Sequence, residues 1–542
     1  MNKIIKCGNN NIFNLLIRFF IFCCLVIYLT YLSGNNIVYY FSNYIQSNNY
    51  SVVATVLFLN FSLLMVLFLL VKINFFFSFL FSFFLVANYI SRKTSGTILN
   101  SDVISLMMSE FDRAGDYFNS YFSSELLVPI FWFFLASVVL KKISDNNYIL
   151  FEYISRKKLS FLSVLFFSSL AASYVLEART HGSFNLYIDP FRTISKTVYL
   201  ASNSIKYSKR MDLLVDPERI SQANHILLII DESISYSHLS INGYEKDTTP
   251  YLASIKNKYS NMGKSLSSFN CSAASNFVFT ADVSPTDIPD LRGKYTLTKP
   301  GIFSFAKKAN YKTAYISAQR AENQFQNYMS KFDLEQIDMF HSNNTNGNLN
   351  DFALIDVLSK FIDENEKTFT IIVKSGAHFP WSSNKYEGKL FEPVLPDGNA
   401  ISVARKLESI NSYDNIINWN TDRFFESLIK KISDLNIFII YTSDHGQNIF
   451  NDEKVPATHC TFTGVVPPEQ AFVPILVFGS DKIKINSDYG FYSHFNISPT
   501  IKYVMGFGVD INDTFFSDSP NKYDYFFIGN MFSTVQKVKV NK

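Results

Sequence analysis

The sequence predicts a membrane α-helical domain of five transmembrane helices, followed by an α/β domain built on a mostly parallel sheet. Three observations carry that expectation. Only 18% of the 542 residues are charged, against 48% hydrophobic and 16% aromatic, where an ordinary soluble domain is about a quarter charged. Five apolar runs crowd into the first 180 residues, and none of that length follows. Beyond Asn224, short β-rich runs alternate with longer amphipathic stretches, the texture of strands interleaved with covering helices.

The apolar runs are Ile12–Leu32, Val52–Val71, Phe75–Ile90, Leu126–Leu140 and Leu159–Leu176. About 20 apolar residues cross the hydrocarbon layer, so Val52–Val71 is a full-length candidate. The third and fourth are short, and rely on flanking polar residues or on packing among neighbours. Orientation follows from the basic residues of the short loops. Lys3, Lys6 and Arg18 mark the head, and Lys141, Lys142, Arg156, Lys157 and Lys158 mark the loop before the last run, while Ser33–Ser51 has none. The amino terminus is therefore expected inside and everything after Leu176 outside. The first run is too long, and lacks the small-residue site, for a cleaved signal peptide. The expected division is 1–180 in the membrane, 181–223 as a bridging segment and 224–542 as a folded α/β domain outside.

A net charge of +3, from 49 basic and 46 acidic residues, leaves no nucleic-acid footprint. Five cysteines are too few for a disulfide-dense scaffold. Apolar content this high excludes disorder.

In an open α/β sheet, ligands bind beyond the carboxyl ends of the strands, and there the chemistry gathers. His225-Ile-Leu-Leu-Ile-Ile230 is followed by Asp231-Glu232, and Phe369-Thr-Ile-Ile-Val373 by Lys-Ser-Gly-Ala-His378. The run from Ile437 to Thr442 is followed by Ser443-Asp444-His445-Gly446, and Ala457-Thr458-His459-Cys460 comes shortly after. A further run, Phe472-Val-Pro-Ile-Leu-Val-Phe478, reads as one more strand. Each acid or histidine alone is an ordinary turn residue or helix-start acid. Carboxylates and imidazoles at successive strand ends are what a zinc site needs. His181, His225, His238, His341 and His494 read as structural or surface residues.

Leu227-Leu-Ile-Ile-Asp-Glu-Ser233 and Leu239-Ser-Ile-Asn-Gly-Tyr-Glu-Lys-Asp-Thr-Thr-Pro-Tyr-Leu252 resemble the phosphoethanolamine transferases of the alkaline phosphatase and sulfatase superfamily. That family includes lipid A-modifying and mobile colistin resistance enzymes. Asn411-Ser-Tyr-Asp-Asn415, Thr421-Asp422 and Thr442-Ser-Asp-His-Gly446 extend the likeness. The resemblance implies an alkaline phosphatase/sulfatase-like fold, with Glu232, Asp444 and His445 holding a catalytic zinc. It implies a second zinc or substrate-phosphate site at His378 and His459. The family's nucleophile is a threonine four residues after a cysteine, which makes Ser275 of Cys271-Ser-Ala-Ala-Ser-Asn276 the nucleophile and a metal ligand, with Ser272 next in line. Asp231 departs from the family, which has glycine there. Only Cys271 and Cys460 lie in the catalytic domain, so the family's several disulfides reduce to one candidate pair. The Gly96–Phe122 loop resembles the family's outward amphipathic segment.

The implied reaction is ping-pong transfer of phosphoethanolamine from phosphatidylethanolamine to lipid A or a lipopolysaccharide core sugar. It takes place at the outer face of the inner membrane, with the catalytic domain in the periplasm. A phosphoglycerol transferase and a non-catalytic membrane scaffold stand as alternatives. A sulfatase would need a Cys/Ser-x-Pro-x-Arg setting, which the chain lacks around Cys271. A transporter would need polar residues in its membrane runs, and these carry few.

Overall fold

The computed structural model describes residues 17–29, part of 67–89, 127–145 and, apart from short internal gaps, 210–541. By internal contacts the chain divides into two units, Met1–Ser202 and Asn203–Lys542.

In the first unit, residues 17–29 are helical, and Leu127–Asp145 forms a 19-residue helix. Phe133, Ala136 and Leu140 bury one side of that helix with Phe22, Val26, Phe68, Val71 and Leu85. Its other side leaves Phe131 and Trp132 63% and 60% exposed. No helix among the described residues is long and apolar enough to cross a membrane. The first three apolar runs are described only in part, and Leu159–Leu176 and the Gly96–Phe122 loop lie outside the described residues.

The second unit is built on a seven-stranded sheet. Its strands are β1 (His225–Asp231), β2 (Tyr259–Asn261), β3 (Lys312–Ser317), β4 (Met339–Ser342), β5 (Thr368–Val373), β6 (Ile437–Ser443) and β7 (Ile475–Phe478). They lie in the order β2-β7-β6-β1-β5-β3-β4. Strands β6, β1, β5, β3 and β4 are mutually parallel, and β7 runs antiparallel to β6 and β2.

Alternation along β1 explains why both faces are covered. Ile226, Leu228 and Ile230 point into one core with helices α2 (Ile302–Lys308) and α6 (Ile497–Met505). Leu227 and Ile229 point into the other, with α3 (Ala353–Asp363) and α5 (Phe424–Ile432). Central strands buried on both sides read as near-continuous apolar runs, which is what 225–230 shows. Helix α4 (Lys406–Ile416) continues into α5 through a π-helical turn, Ile417–Arg423. Helix α1 (Ser272–Thr280) is buried at all but one of its positions.

The run 472–478, expected as one strand, is two. Pro474 has no N–H to give a ladder, and the chain changes partners there. Phe472–Val473 pairs with Ser265–Leu266, and Ile475–Phe478 alone joins the main sheet.

Candidate active site

Register brings the expected ligands to one sheet edge. Ile230 at the end of β1 lies beside Thr442 of β6 and Val373 of β5, so the residues after each strand emerge together. The ladder continues one step into the turns. Asp444 N donates to Asp231 O at 2.8 Å, and Lys374 N donates to Ile230 O at 2.9 Å. Gly376 has φ +49°, and a Cβ there would strike Asp231 Oδ1 and the Glu232 backbone, so only glycine lets the β5 turn lie this close.

Glu232, Asp444 and His445 are buried, and each offers a ligand atom within 4.8 Å of the others. His445 Nε2 lies 3.4 Å from Glu232 Oε1 and 3.7 Å from Asp444 Oδ2. Its Nδ1 faces the Gly446 carbonyl at 2.7 Å. A carbonyl only accepts, so Nδ1 carries the proton and the lone pair of neutral His445 sits on Nε2, towards the carboxylates. Asp444 Oδ1 accepts from Ser233 N at 3.0 Å and from His445 N at 2.7 Å. Oδ2 is buried and accepts no hydrogen bond among the described residues.

Left to themselves these groups compete for protons. Burial, then the Glu232 charge, pushes Asp444 well above the usual carboxylate range. Burial opposes ionisation of Glu232 too, yet a hydrogen bond from His445 and the charges of His378 and His445 hold it well below its ordinary value. Burial works against charge on His445, but Asp444 and Glu232 outweigh it and raise its pKa to about 9. An inward-facing carboxylate oxygen with no donor and a pair of crowded acids beside an imidazole lone pair fit a divalent cation.

The two serines of α1 stand differently towards this cluster. Ser272 is the first residue of the helix, after Cys271 in extended conformation. Its Oγ lies 3.2 Å from Glu232 Oε1 and 3.1 Å from His445 Nε2. The structure does not bring Ser275 there. The Ser275 hydroxyl donates to Phe269 O at 2.9 Å and accepts from Phe269 N at 3.2 Å. Helical rise explains the difference: three residues further on is about 4.5 Å deeper along the axis. Counting from the cysteine therefore lands one turn below the cluster.

His378 is buried, its Nδ1 on Phe379 O at 2.5 Å. The His459 ring stacks on His445 with centroids 4.3 Å apart, and its Nδ1 meets Gln447 Oε1 at 3.0 Å. Cys271 and Cys460 are disulfide-bonded, Cα to Cα 4.8 Å. The residue before Ser272 is thus tied to the residue after His459.

Several supporting residues escaped the sequence reading. Gln319 donates to Glu232 Oε2 at 2.9 Å; it follows β3, a strand end with no acid or histidine to draw notice. Lys374 pairs with Asp231 at 2.6 Å. The 411–415 and 421–422 motifs hold the loop that carries Glu232. Tyr413 OH donates to Ser233 O at 2.7 Å and accepts from Ser235 N at 2.8 Å. Asp414 receives Lys246 and His238 at 2.7 and 2.8 Å and the Tyr244 hydroxyl at 3.0 Å. Asp422 accepts from Tyr251 N and Leu252 N, both at 2.9 Å.

Comparison with known proteins places the chain in a family. The family model described as Sulfatase matches residues 224–507. The Kdo(2)-lipid A phosphoethanolamine 7''-transferase of Escherichia coli K12 is 28% identical over 267 residues, 48% of this chain and 45% of that protein. The chain thus spans about half the length of that relative. The phosphatidylethanolamine transferase Mcr-1 of Escherichia coli is 26% identical over 345 residues, 59% of this chain and 61% of the relative. Among solved structures, the integral membrane protein lipooligosaccharide phosphoethanolamine transferase A (EptA) from Neisseria meningitidis superposes with a TM-score of 0.63 at 17% identity. It covers 89% of this chain and 95% of its own.

Proposed function

This chain belongs to the sulfatase family, and from that premise we propose that it is a zinc-dependent phosphoethanolamine transferase of the inner membrane. The donor is phosphatidylethanolamine, and the acceptor is lipid A or a lipopolysaccharide core sugar facing the periplasm. The observation that carries the reading is Ser272 Oγ at the start of α1, 3.2 and 3.1 Å from Glu232 and His445. The named activities of the relatives support the headgroup.

Glu232, Asp444 and His445, with Ser272 Oγ, would hold the zinc, which when bound acts as a Lewis acid on the attacking hydroxyl and on the phosphate. Ser272 Oγ attacks phosphorus, the Oγ–P bond forms and the bond to the glycerol oxygen breaks. The hydroxyl proton ends on the departing diacylglycerol, and a phosphoethanolamine–Ser272 ester remains. An acceptor oxygen then displaces Ser272 and returns it a proton. The N-terminus of α1, which begins at Ser272, would stabilise the phosphoryl oxygens. His378 and His459 serve the substrate phosphate or a second zinc. Ser272 offers a hydroxyl oxygen of the same kind as the family's threonine nucleophile.

The five apolar runs and the exposed Phe131 and Trp132 support five membrane helices, which bring the site to two lipid substrates and raise the effective concentration of the donor. The division into 1–180, 181–223 and 224–542 is part of this proposal.

Intact-protein mass after incubation with phosphatidylethanolamine tests it. The expected result is one phosphoethanolamine adduct, mapped to Ser272. An adduct on Ser275 would move the nucleophile. An adduct formed only from phosphatidylglycerol would make the chain a phosphoglycerol transferase. Zinc-loaded protein that takes neither label would favour the scaffold.

A further inference from the structure

The turn that carries Glu232 and the turn that carries His378 are fastened by one buried ion pair. Lys374 Nζ meets Asp231 Oδ2 at 2.6 Å, and both side chains are fully buried. Asp231 Oδ2 also accepts from Tyr441 OH at 3.0 Å and Thr421 Oγ1 at 3.1 Å. Asp231 Oδ1 accepts from Glu232 N at 3.1 Å. Lys374 donates to the Asn420 carbonyl and lies 4.3 Å from the Phe424 ring centroid. The two turns are also joined through backbone, Ala377 N donating to Glu232 O at 2.9 Å. Asp351 holds the far side of the β5 turn, accepting from Ser375 N at 2.7 Å and Gly376 N at 3.1 Å.

Stability alone does not explain a charged pair in this place. Buried ion pairs are often replaced by well-packed apolar residues with no loss, or with a gain. What this pair does that an apolar pair cannot is hold the Glu232 peptide by its N–H while anchoring the neighbouring turn by charge. We infer that Asp231–Lys374 is a positioning pair that sets the Glu232 carboxylate for the metal centre, so that zinc affinity depends on it. Neither residue touches metal or substrate; both act through the Glu232 backbone. The inference rests on the metal reading of the proposed function.

The test is zinc binding by the full-length protein in detergent, with zinc alone as probe in competition with a chromophoric chelator. Melting is followed in parallel. Outer partners of metal ligands are worth about 10- to 100-fold in affinity. Lys374→Met and Asp231→Asn are each expected to weaken zinc binding at least about tenfold. Tyr441→Phe, which removes one hydrogen bond to Asp231 and keeps the ion pair, is expected to weaken it less. Should a single variant fail to fold, the double variant Asp231→Asn/Lys374→Met leaves no unpaired buried charge, and it is expected to fold and still bind zinc weakly. A role in stability alone would move the melting temperature and leave the affinity of the folded protein unchanged. Folded variants within about twofold of wild type would overturn the inference. Wild-type protein that binds no zinc would overturn the metal reading itself, and this inference with it.

Discussion

At the scale of single residues, the two serines of α1 differ in what they touch. Ser272 faces buried acids and an imidazole, whereas Ser275 fastens the Phe269 backbone. Ser272→Ala is expected to abolish the covalent adduct, a loss of roughly a thousandfold or more in transfer, while zinc stays bound. Ser275→Ala is expected to keep the adduct in the folded fraction and to cost about 1–3 kcal/mol of stability, because buried polar groups of Phe269 lose their partner. Adduct mass and denaturant titration of both variants check this, and loss of the adduct in Ser275→Ala alone would reverse the assignment. The convergence of Glu232, Asp444 and His445 was legible in the sequence because an acid or histidine straight after an apolar strand needs only the strand to be placed. Which serine of α1 meets that cluster was legible only to within one helical turn, because where α1 starts depends on Cys271 being extended.

Asp422 gives a pH signature at the same scale. Two backbone N–H groups and the nearby Arg423 favour its charge, but burial wins and lifts it to about 6. A carboxyl whose folded pKa lies above its unfolded value of about 4 stabilises the fold most below that value. The contribution fades as pH rises through about 6. The swing is about 3 kcal/mol. Asp422→Asn is expected to flatten stability between pH 4 and 6, as read by denaturant midpoints, and an unchanged slope would reject this origin.

At the scale of elements, the sheet shows what pattern conveys and what it hides. The apolar runs of β1, β5 and β6 announce central parallel strands, because burial on both faces forces a continuous run. The split at Pro474 was visible as a residue but not as an outcome, since the new partner, Ser265–Leu266, lies some two hundred residues away. The link between α1 and the His459 loop was legible across a similar distance, because Cys271 and Cys460 are the two cysteines of 224–542. Their disulfide joins Cys271 to Cys460 across 189 residues of sequence, and it fixes the start of the helix that carries Ser272. Reducing it, or replacing both cysteines by serine, is expected to cost about 2–5 kcal/mol of stability. It is also expected to slow transfer, because Ser272 and His459 lose their common anchor. Melting and adduct formation with and without reductant measure both effects. A variant that melts lower yet reacts at the wild-type rate would confine the bond to stability.

At the scale of the whole molecule, the division of labour follows from solvent. The first 180 residues hold the long apolar runs, which the proposed function sets in lipid. The second unit has its own two cores, one on each face of the sheet. Both proposed substrates are lipids, so the anchor matters for encounter rather than for bond making. In the proposed topology, basic residues at the head and before the last run would put the amino terminus inside and the second unit outside. Protease added to intact spheroplasts is therefore expected to degrade the second unit, while an amino-terminal tag survives until the membrane is opened. Protection of the second unit in intact spheroplasts would invert the topology. It would place Ser272 on the side where lipid A and core sugars are not displayed, and the acceptor would have to be sought in the cytoplasmic leaflet.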